Sequence, residues 1–199
     1  MVKDAYWFIL PLLGVAAVSL YFGLTILLIP CLVLTLFVAF FFRNPDREIP
    51  SDPSLVVSPA DGRVIRIEKT QSGLTRLSIF LSVFNVHVNR APIGGKLVEQ
   101  IYRTGQFHLA YDDRASVENE RMDLTIQAER QISFSIIAGV VARRIVPWKK
   151  EGDTVAKGDR IALIRFGSRV DIDLPDDCEL MVKKGDRVRG GSSTLARWK

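Results

Sequence analysis

From Ala5 to Phe42 the chain runs for 38 residues without one Asp, Glu, Lys or Arg. A single helix of that length is about 57 Å long at 1.5 Å per residue, nearly twice the ~30 Å of a bilayer core, so two shorter passes suit it better. Trp7–Leu20 and Leu24–Phe42, joined around Tyr21, Phe22 and Gly23, make a hydrophobic helical hairpin with both ends on one side. Lys3 before it and Arg43 and Arg47 after it put that side in the cytoplasm, where basic flanks are retained. A cleaved signal peptide matches poorly. Its apolar region is short and ends at a small-residue cleavage site, whereas here hydrophobicity continues into Phe40, Phe41 and Phe42. Pro11 and Pro30 can kink the hairpin, which leaves open whether it crosses the bilayer or re-enters from one leaflet.

Apart from Lys3 and Asp4, every charged residue lies from Arg43 onward, in a remainder of ample size for one domain with a core. The chain therefore divides into a membrane hairpin, 1–43, and a domain, 44–199. Its net charge of +5 suits a negatively charged partner, and a membrane-attached domain meets anionic lipid first. No nucleic-acid-binding motif occurs. Cys31 inside the apolar run and Cys178 far from it exclude a disulfide framework and a Cys-based metal site.

Beyond Ile49 come short runs of β-branched residues separated by turns: Val56–Ser58, Arg63–Glu68, Leu74–Ser82, Lys96–Tyr102, Asp123–Ala128, Ile132–Ile137 and Ile161–Arg165. Helical periodicity is scarce, so the fold class is mostly β (α+β). Lys150–Asp159 is echoed by Lys184–Gly191, each copy with a Gly-Asp turn, a valine and a second glycine. Such units recur in compact sandwiches of the lipoyl or biotinyl type, where glycine supplies positive φ at successive turns. Ordinary turns of any small β protein explain the glycines equally well.

Two histidines, His87 and His108, are the natural proton carriers near neutral pH. Taken singly, His87, the Pro-Ala-Asp-Gly turn at Asp61 and the pair Gly167-Ser168 all have bland readings as core or turn residues. Their order is more telling. An apolar hairpin is followed by Phe41-Phe42-Arg43-Asn44-Pro45, Ser58-Pro59-Ala60-Asp61-Gly62, Phe84-Asn85-Val86-His87-Val88-Asn89-Arg90, Glu118-Asn119-Glu120-Arg121 and Arg165-Phe166-Gly167-Ser168-Arg169-Val170-Asp171. The series resembles, over nearly the whole chain, the phosphatidylserine decarboxylase family in its short form, the phosphatidylserine or archaetidylserine decarboxylase proenzyme.

The resemblance implies self-cleavage between Gly167 and Ser168 into a β chain, 1–167, and an α chain, 168–199, that stay together as a heterodimer. Serine offers Oγ for attack on the glycine carbonyl, and elimination then leaves a pyruvoyl group derived from Ser168. That covalent cofactor would form a Schiff base with an anionic serine phospholipid and release carbon dioxide, with no metal required. Asp61 matches the family's aspartate and His87 the first of two histidines that lie three residues apart in longer relatives. Arg90 stands where the second would be. Either His87 serves both self-cleavage and decarboxylation, the alternative favoured here, or cleavage relies on Asp61 and backbone strain without a dedicated histidine. Arg90 is a candidate for the substrate's carboxylate or phosphate, and Arg43, Arg47 and Arg63 are candidates for its phosphate. Gly191-Ser192 also joins glycine to serine, but the family's pattern puts the cut upstream. With the hairpin's basic flanks on the cytoplasmic side, the catalytic domain is expected on the cytoplasmic side of the cell membrane. The alternative function is a non-enzymatic membrane-anchored adaptor or carrier with a lipoyl-like sandwich, for which Met181-Val182-Lys183-Lys184 lacks the Met-Lys-Met order of biotin attachment.

Overall fold

The computed structural model describes residues 1–106, 108, 118–139, 144–164 and 167–199, and it divides into two units, Met1–Asp46 and Arg47–Lys199. In the first unit a short 3-10 turn, Lys3–Ala5, leads into α1 (Tyr6–Tyr21), which packs against α2 (Thr25–Phe41). Gly23, at φ +69°, makes the connection with a conformation that a side chain disfavours. At the open end the Val2 N–H donates to the Phe42 carbonyl at 3.0 Å, so the two termini of the hairpin meet. Large apolar side chains such as Trp7, Leu10, Ile26 and Leu36 are exposed along both helices. Lys3–Tyr21 is long and apolar enough to cross a membrane by length and composition, and Thr25–Phe41 is apolar but shorter.

The second unit is built from strands, as its runs of β-branched residues between turns predict. In chain order they are β1 (Leu55–Val57), β2 (Gly62–Lys69), β3 (Thr75–Leu81), β4 (Val88–Arg90), β5 (Gly95–Arg103), β6 (Arg121–Gln127) and β7 (Gln131–Ala138). There follow β8 (Ile145–Pro147), β9 (Thr154–Val155), β10 (Arg160–Ile164), β11 (Ser168–Leu174), β12 (Cys178–Leu180), β13 (Arg187–Val188) and β14 (Thr194–Trp198). The main sheet has the order β13-β2-β3-β11-β7-β6-β5-β9, and the two small sheets are β1-β14-β12 and β4-β10-β8.

These orders reveal an internal twofold. Read from the two ends of the main sheet, β13, β2, β3 and β11 correspond to β9, β5, β6 and β7, while β1, β14 and β12 correspond to β4, β10 and β8. One half, β4 to β10, is therefore inserted between β3 and β11 of the other. The repeated Gly-Asp turns obey the same symmetry. Gly152 donates to the Leu97 carbonyl and Gly185 to that of Val64, both at 2.7 Å. In return Leu97 and Val64 donate to the carbonyls of Asp153 and Asp186, both at 2.9 Å. Each aspartate also caps its own turn by accepting from a lysine N–H, Lys150 or Lys183, at 2.9 Å.

The core lies on one face of the main sheet, where Leu77, Ile79 and Leu81 of β3, Val170, Ile172 and Leu174 of β11, and Ile132, Phe134 and Ile136 of β7 are buried. Their burial contributes to the apolar core that holds the sheet. The other face is polar. One row across the four central strands reads Ser78, Asp171, Ser135, Asp123. There Arg169 is 1% exposed, with Nε on Asp171 Oδ1 at 2.6 Å and Nη2 on Ser78 Oγ at 2.7 Å, so a buried charge is offset by partners.

Candidate active site

The Asp61 turn is fixed by close approach. A Cβ on Gly62 would sit 2.2 Å from the Phe80 carbonyl oxygen, so only glycine allows β2 to enter the sheet directly after Asp61. Ser58 Oγ closes the turn on the Ala60 carbonyl at 2.6 Å. The Asp61 carboxylate is nearly buried and takes Arg47 Nη2 on both oxygens, at 2.9 and 2.8 Å, and the Gly190 N–H at 2.8 Å. Gly191 donates to the Ser58 carbonyl at 2.8 Å. The second Gly-Ser stretch is thus a wedge against the Asp61 turn. Arg47, read from sequence as a topology signal and a candidate for the lipid phosphate, is instead the carboxylate's charge partner.

His87 is fully buried, just before β4. Its Nδ1 lies 3.0 Å from the Asn85 carbonyl, which can only accept, so Nδ1 carries the proton and Nε2 is the basic nitrogen of the neutral ring. Asn85 is held in turn by Ser82, whose N–H and hydroxyl both donate to Asn85 Oδ1. The His87 carbonyl accepts from the Ile164 N–H at 3.1 Å, which brings the end of β10 alongside the histidine. Arg165 and Phe166, the first residues of the cleavage motif, lie outside the described residues. Gly167 follows at φ +43°, a conformation that strains any L side chain although a Cβ there would meet nothing within 4 Å.

Ser168 begins β11, between Leu81 of β3 and Ala138 of β7. It is fully buried, and its Oγ has no hydrogen-bond partner among the described residues. A buried hydroxyl left in this state costs on the order of 1–3 kcal/mol. The sheet brings Leu81, beside Ser168, into the Ser82–Asn85 turn that carries on to His87. Asp61 stands before β2, two strands from β11, about 10 Å away at ordinary strand spacing.

The arginines sort differently. Arg90 is buried, its Nη1 donating to the Gly158 carbonyl at 2.9 Å and its N–H to the Pro59 carbonyl at 2.8 Å, which ties β4 to the Asp61 turn. Arg43 belongs to the hairpin unit, where it caps the end of α2 through the Phe40 carbonyl at 2.9 Å and lies 3.9 Å from the Phe40 ring centroid. Arg63 is exposed on β2. Asn119 and Arg169 lie inside the sequence motifs, where no local signal marks them for a task. Both are buried beside Ser168 or its strand neighbour. A cleft of about 760 Å³, lined by Ile93, Gly94, Arg130, Lys157 and Trp198, lies elsewhere, at the twofold counterpart of the Asp61 turn.

A family model described as phosphatidylserine decarboxylase matches residues 34–196. Three curated relatives bear the name phosphatidylserine decarboxylase proenzyme. That of Solibacter usitatus (strain Ellin6076) is 44% identical over 198 residues, covering 99% of this chain and 96% of its own. That of Desulfotalea psychrophila (strain LSv54 / DSM 12343) is 47% identical over 174 residues, 83% of this chain and 81% of its own. That of Ruegeria pomeroyi (strain ATCC 700808 / DSM 15171 / DSS-3) is 48% identical over 174 residues, 82% of this chain and 80% of its own.

Proposed function

The chain belongs to the phosphatidylserine decarboxylase family, and on that premise we propose that it cuts itself between Gly167 and Ser168 and then decarboxylates a serine phospholipid to the ethanolamine phospholipid. The reading rests on Ser168: a buried Oγ with no hydrogen-bond partner among the described residues, directly after a glycine at positive φ, at the head of a central strand.

His87 Nε2 takes the proton of Ser168 Oγ as the oxygen bonds to the Gly167 carbonyl carbon. The peptide C–N bond breaks, and the proton goes to the freed amine, which leaves an ester. Loss of the Ser168 Cα proton then breaks the Cβ–Oγ bond, releasing Gly167 as a carboxylate and leaving dehydroalanine. Water hydrolyses it, ammonia departs and a carbonyl remains. A pyruvoyl group at this position would supply an electrophilic carbonyl for the substrate amine and a sink for the electron pair left by carbon dioxide. The residues fit such a group, since its position is dry and carries no competing hydrogen bond from the described residues. His87 has a second task, delivery of a proton to the substrate carbon once carbon dioxide has left. Asp61 acts at one remove in this reading: with Arg47 and Gly190 it fixes the turn that carries β2 and, through Pro59, β4.

Because β11 is paired on both sides, by β3 and β7, residues 168–199 stay docked to 1–167 after the cut. The apolar hairpin keeps the domain at the bilayer that holds its substrate, on the cytoplasmic side given Lys3, Arg43 and Arg47. Arg63, exposed and without an ion-pair partner among the described residues, is a cation available for the lipid phosphate.

Denaturing electrophoresis with intact mass measurement tests this. The wild type should give two chains and Ser168→Ala one, with hydroxylamine abolishing decarboxylation by consuming the carbonyl. A folded wild type that remains a single chain rules the reading out.

A further inference from the structure

The Glu118–Arg121 stretch is one of the ordered motifs, yet none of its side chains enters the chemistry above. Asn119 is 2% exposed and its amide is fully occupied. Nδ2 donates to the carbonyls of Ala138 at 2.7 Å and His108 at 2.9 Å, and Oδ1 accepts from the His108 N–H at 2.8 Å. Beside it the Ala138 N–H donates to the Glu120 carbonyl at 2.9 Å. Both backbone groups of Ala138 are thus taken on the β6 side, where the Asn119 side chain supplies a rung that strand backbone would otherwise supply.

Ala138 is the residue paired with Ser168. In an antiparallel pair, a residue that directs both polar groups to one neighbour meets the other as a closely spaced, non-hydrogen-bonded partner, with Cα atoms about 4.5 Å apart. Ser168 therefore rests against Ala138 by side-chain contact, and the place of Ala138 is set by Asn119. The approach of the Asn119 segment is itself fixed. Gln106 and Glu118–Glu120 exchange bonds of 2.7 and 3.0 Å, and a Cβ on Gly105 would sit 2.3 Å from the Glu118 carbonyl oxygen.

We propose that Asn119 is a positioning residue for the reaction at position 168, holding the end of β7 so that the scissile bond, and later the cut end of β11, stays aligned with His87. The inference rests on the self-cleaving reading above. Its physical basis is that covalent continuity holds Ser168 before the cut, whereas afterwards only neighbouring strands do. A misplacement of about 1 Å at a reacting centre costs on the order of 100-fold in rate.

Asn119→Asp tests it, since it keeps an acceptor for His108 but opposes the Ala138 carbonyl with another acceptor. It should cut itself about 10- to 100-fold more slowly, and its mature fraction should show a lower kcat at unchanged KM. Glu118→Gln breaks the 2.8 Å His108–Glu118 pair nearby without touching the Ala138 bond, and should process at the wild-type rate. Should the Asp variant fail to fold, as judged by circular dichroism, Asn119→Gln takes its place, with both amide groups displaced by one methylene. Processing and kcat within twofold of wild type in whichever variant folds would overturn the proposal, as would equal slowing by Glu118→Gln. An uncut wild type in the same gel would instead remove the underlying reading.

Discussion

The two halves of the β domain share one plan and differ at a few side chains, and those differences coincide with the site. The first half enters β2 through Ser58-Pro59-Ala60-Asp61-Gly62 and the second enters β5 through Ala91-Pro92-Ile93-Gly94-Gly95. Pro59 matches Pro92 and Gly62 matches Gly95, while Asp61 is replaced by Gly94. Opposite them stand Gly190, which donates to Asp61, and Lys157, whose N would lie 3.3 Å from a Cβ on Gly94. The second difference is a connection. A short hairpin over Ala128–Arg130 joins β6 to β7, whereas β3 is separated from β11 by the whole inserted half, and the return from that insertion is Gly167-Ser168. A cut at this seam interrupts no strand. The frame is duplicated, and the departures from its symmetry fall at the candidate site.

The largest expected effect comes from removing what only one half has. Asp61→Asn leaves Arg47 about nine-tenths buried without its carboxylate and should destabilise the domain by about 3–5 kcal/mol. Self-cleavage should slow with it, while Gly94→Ala at the counterpart position should leave cleavage within a few-fold of wild type. Urea melts and time-resolved gels of both variants would measure this. Equal loss of processing in the two would mean that the Asp61 turn contributes only frame.

Next come the positions the halves share. A Cβ at Gly62 meets the Phe80 carbonyl oxygen at 2.2 Å, and one at Gly95 meets that of Gln127 at 2.5 Å, with φ +152° in addition. Backbone is the obstacle at both, so each alanine variant should cost on the order of 3 kcal/mol. Smaller are the twin Gly-Asp turns. Gly152 at φ +93° and Gly185 at φ +98° have open space around a Cβ, so alanine at either adds only backbone strain, about 1–2 kcal/mol. The twofold predicts matched losses within each pair in thermal melts. A pair whose members differ by more than 2 kcal/mol would break the equivalence of the halves.

How much of this was legible from sequence depends on which signal a residue carries. The hairpin and seven strands were readable because apolar runs and alternation report burial directly, and the mostly β class followed. β11 was not predicted as a strand, although it lies at the centre of the sheet. Its alternate residues Arg169, Asp171 and Asp173 are charged and break the apolar run by which a central strand is recognised. In the fold they face Ser78 and Arg76 across β3, so the charges are satisfied by the ladder next to them. β9 and β13, two residues each, are too short for any periodicity. The repeat of Gly-Asp turns was visible, but the twofold behind it was not, since the halves are interleaved by insertion. Within the site, Ser168, His87 and Asp61 could be named from motif order, whereas the Arg47 clamp and the Asn119 rung depend on long-range pairing that no local pattern encodes.

The smallest effect separates the halves on the polar face of the sheet. The central row Ser78, Asp171, Ser135, Asp123 places serine on the outer strand of one half and aspartate on that of the other. Ser78 serves Arg169, while Asp123 accepts from Ser135 at 2.6 Å and pairs with Arg103 and Arg121. Partial burial pushes the Asp123 carboxyl upward, but those bonds outweigh it and hold it below the usual carboxylate value of 3.8. A carboxylate depressed by folding adds stability that is present above its unfolded value, near pH 4, and lost as pH falls through the folded one. Asp123→Asn should therefore cost about 1 kcal/mol at pH 7, discounted for the exposed Arg103 partner, and progressively less below pH 4. Urea melts at pH 7 and pH 3 would measure the difference, and a deficit that persists undiminished at pH 3 would assign the loss to packing of the side chain rather than to its charge. Ser78→Ala offers no comparable titration, because the half it belongs to presents a hydroxyl to its arginine, and its deficit should be the same at both pH values.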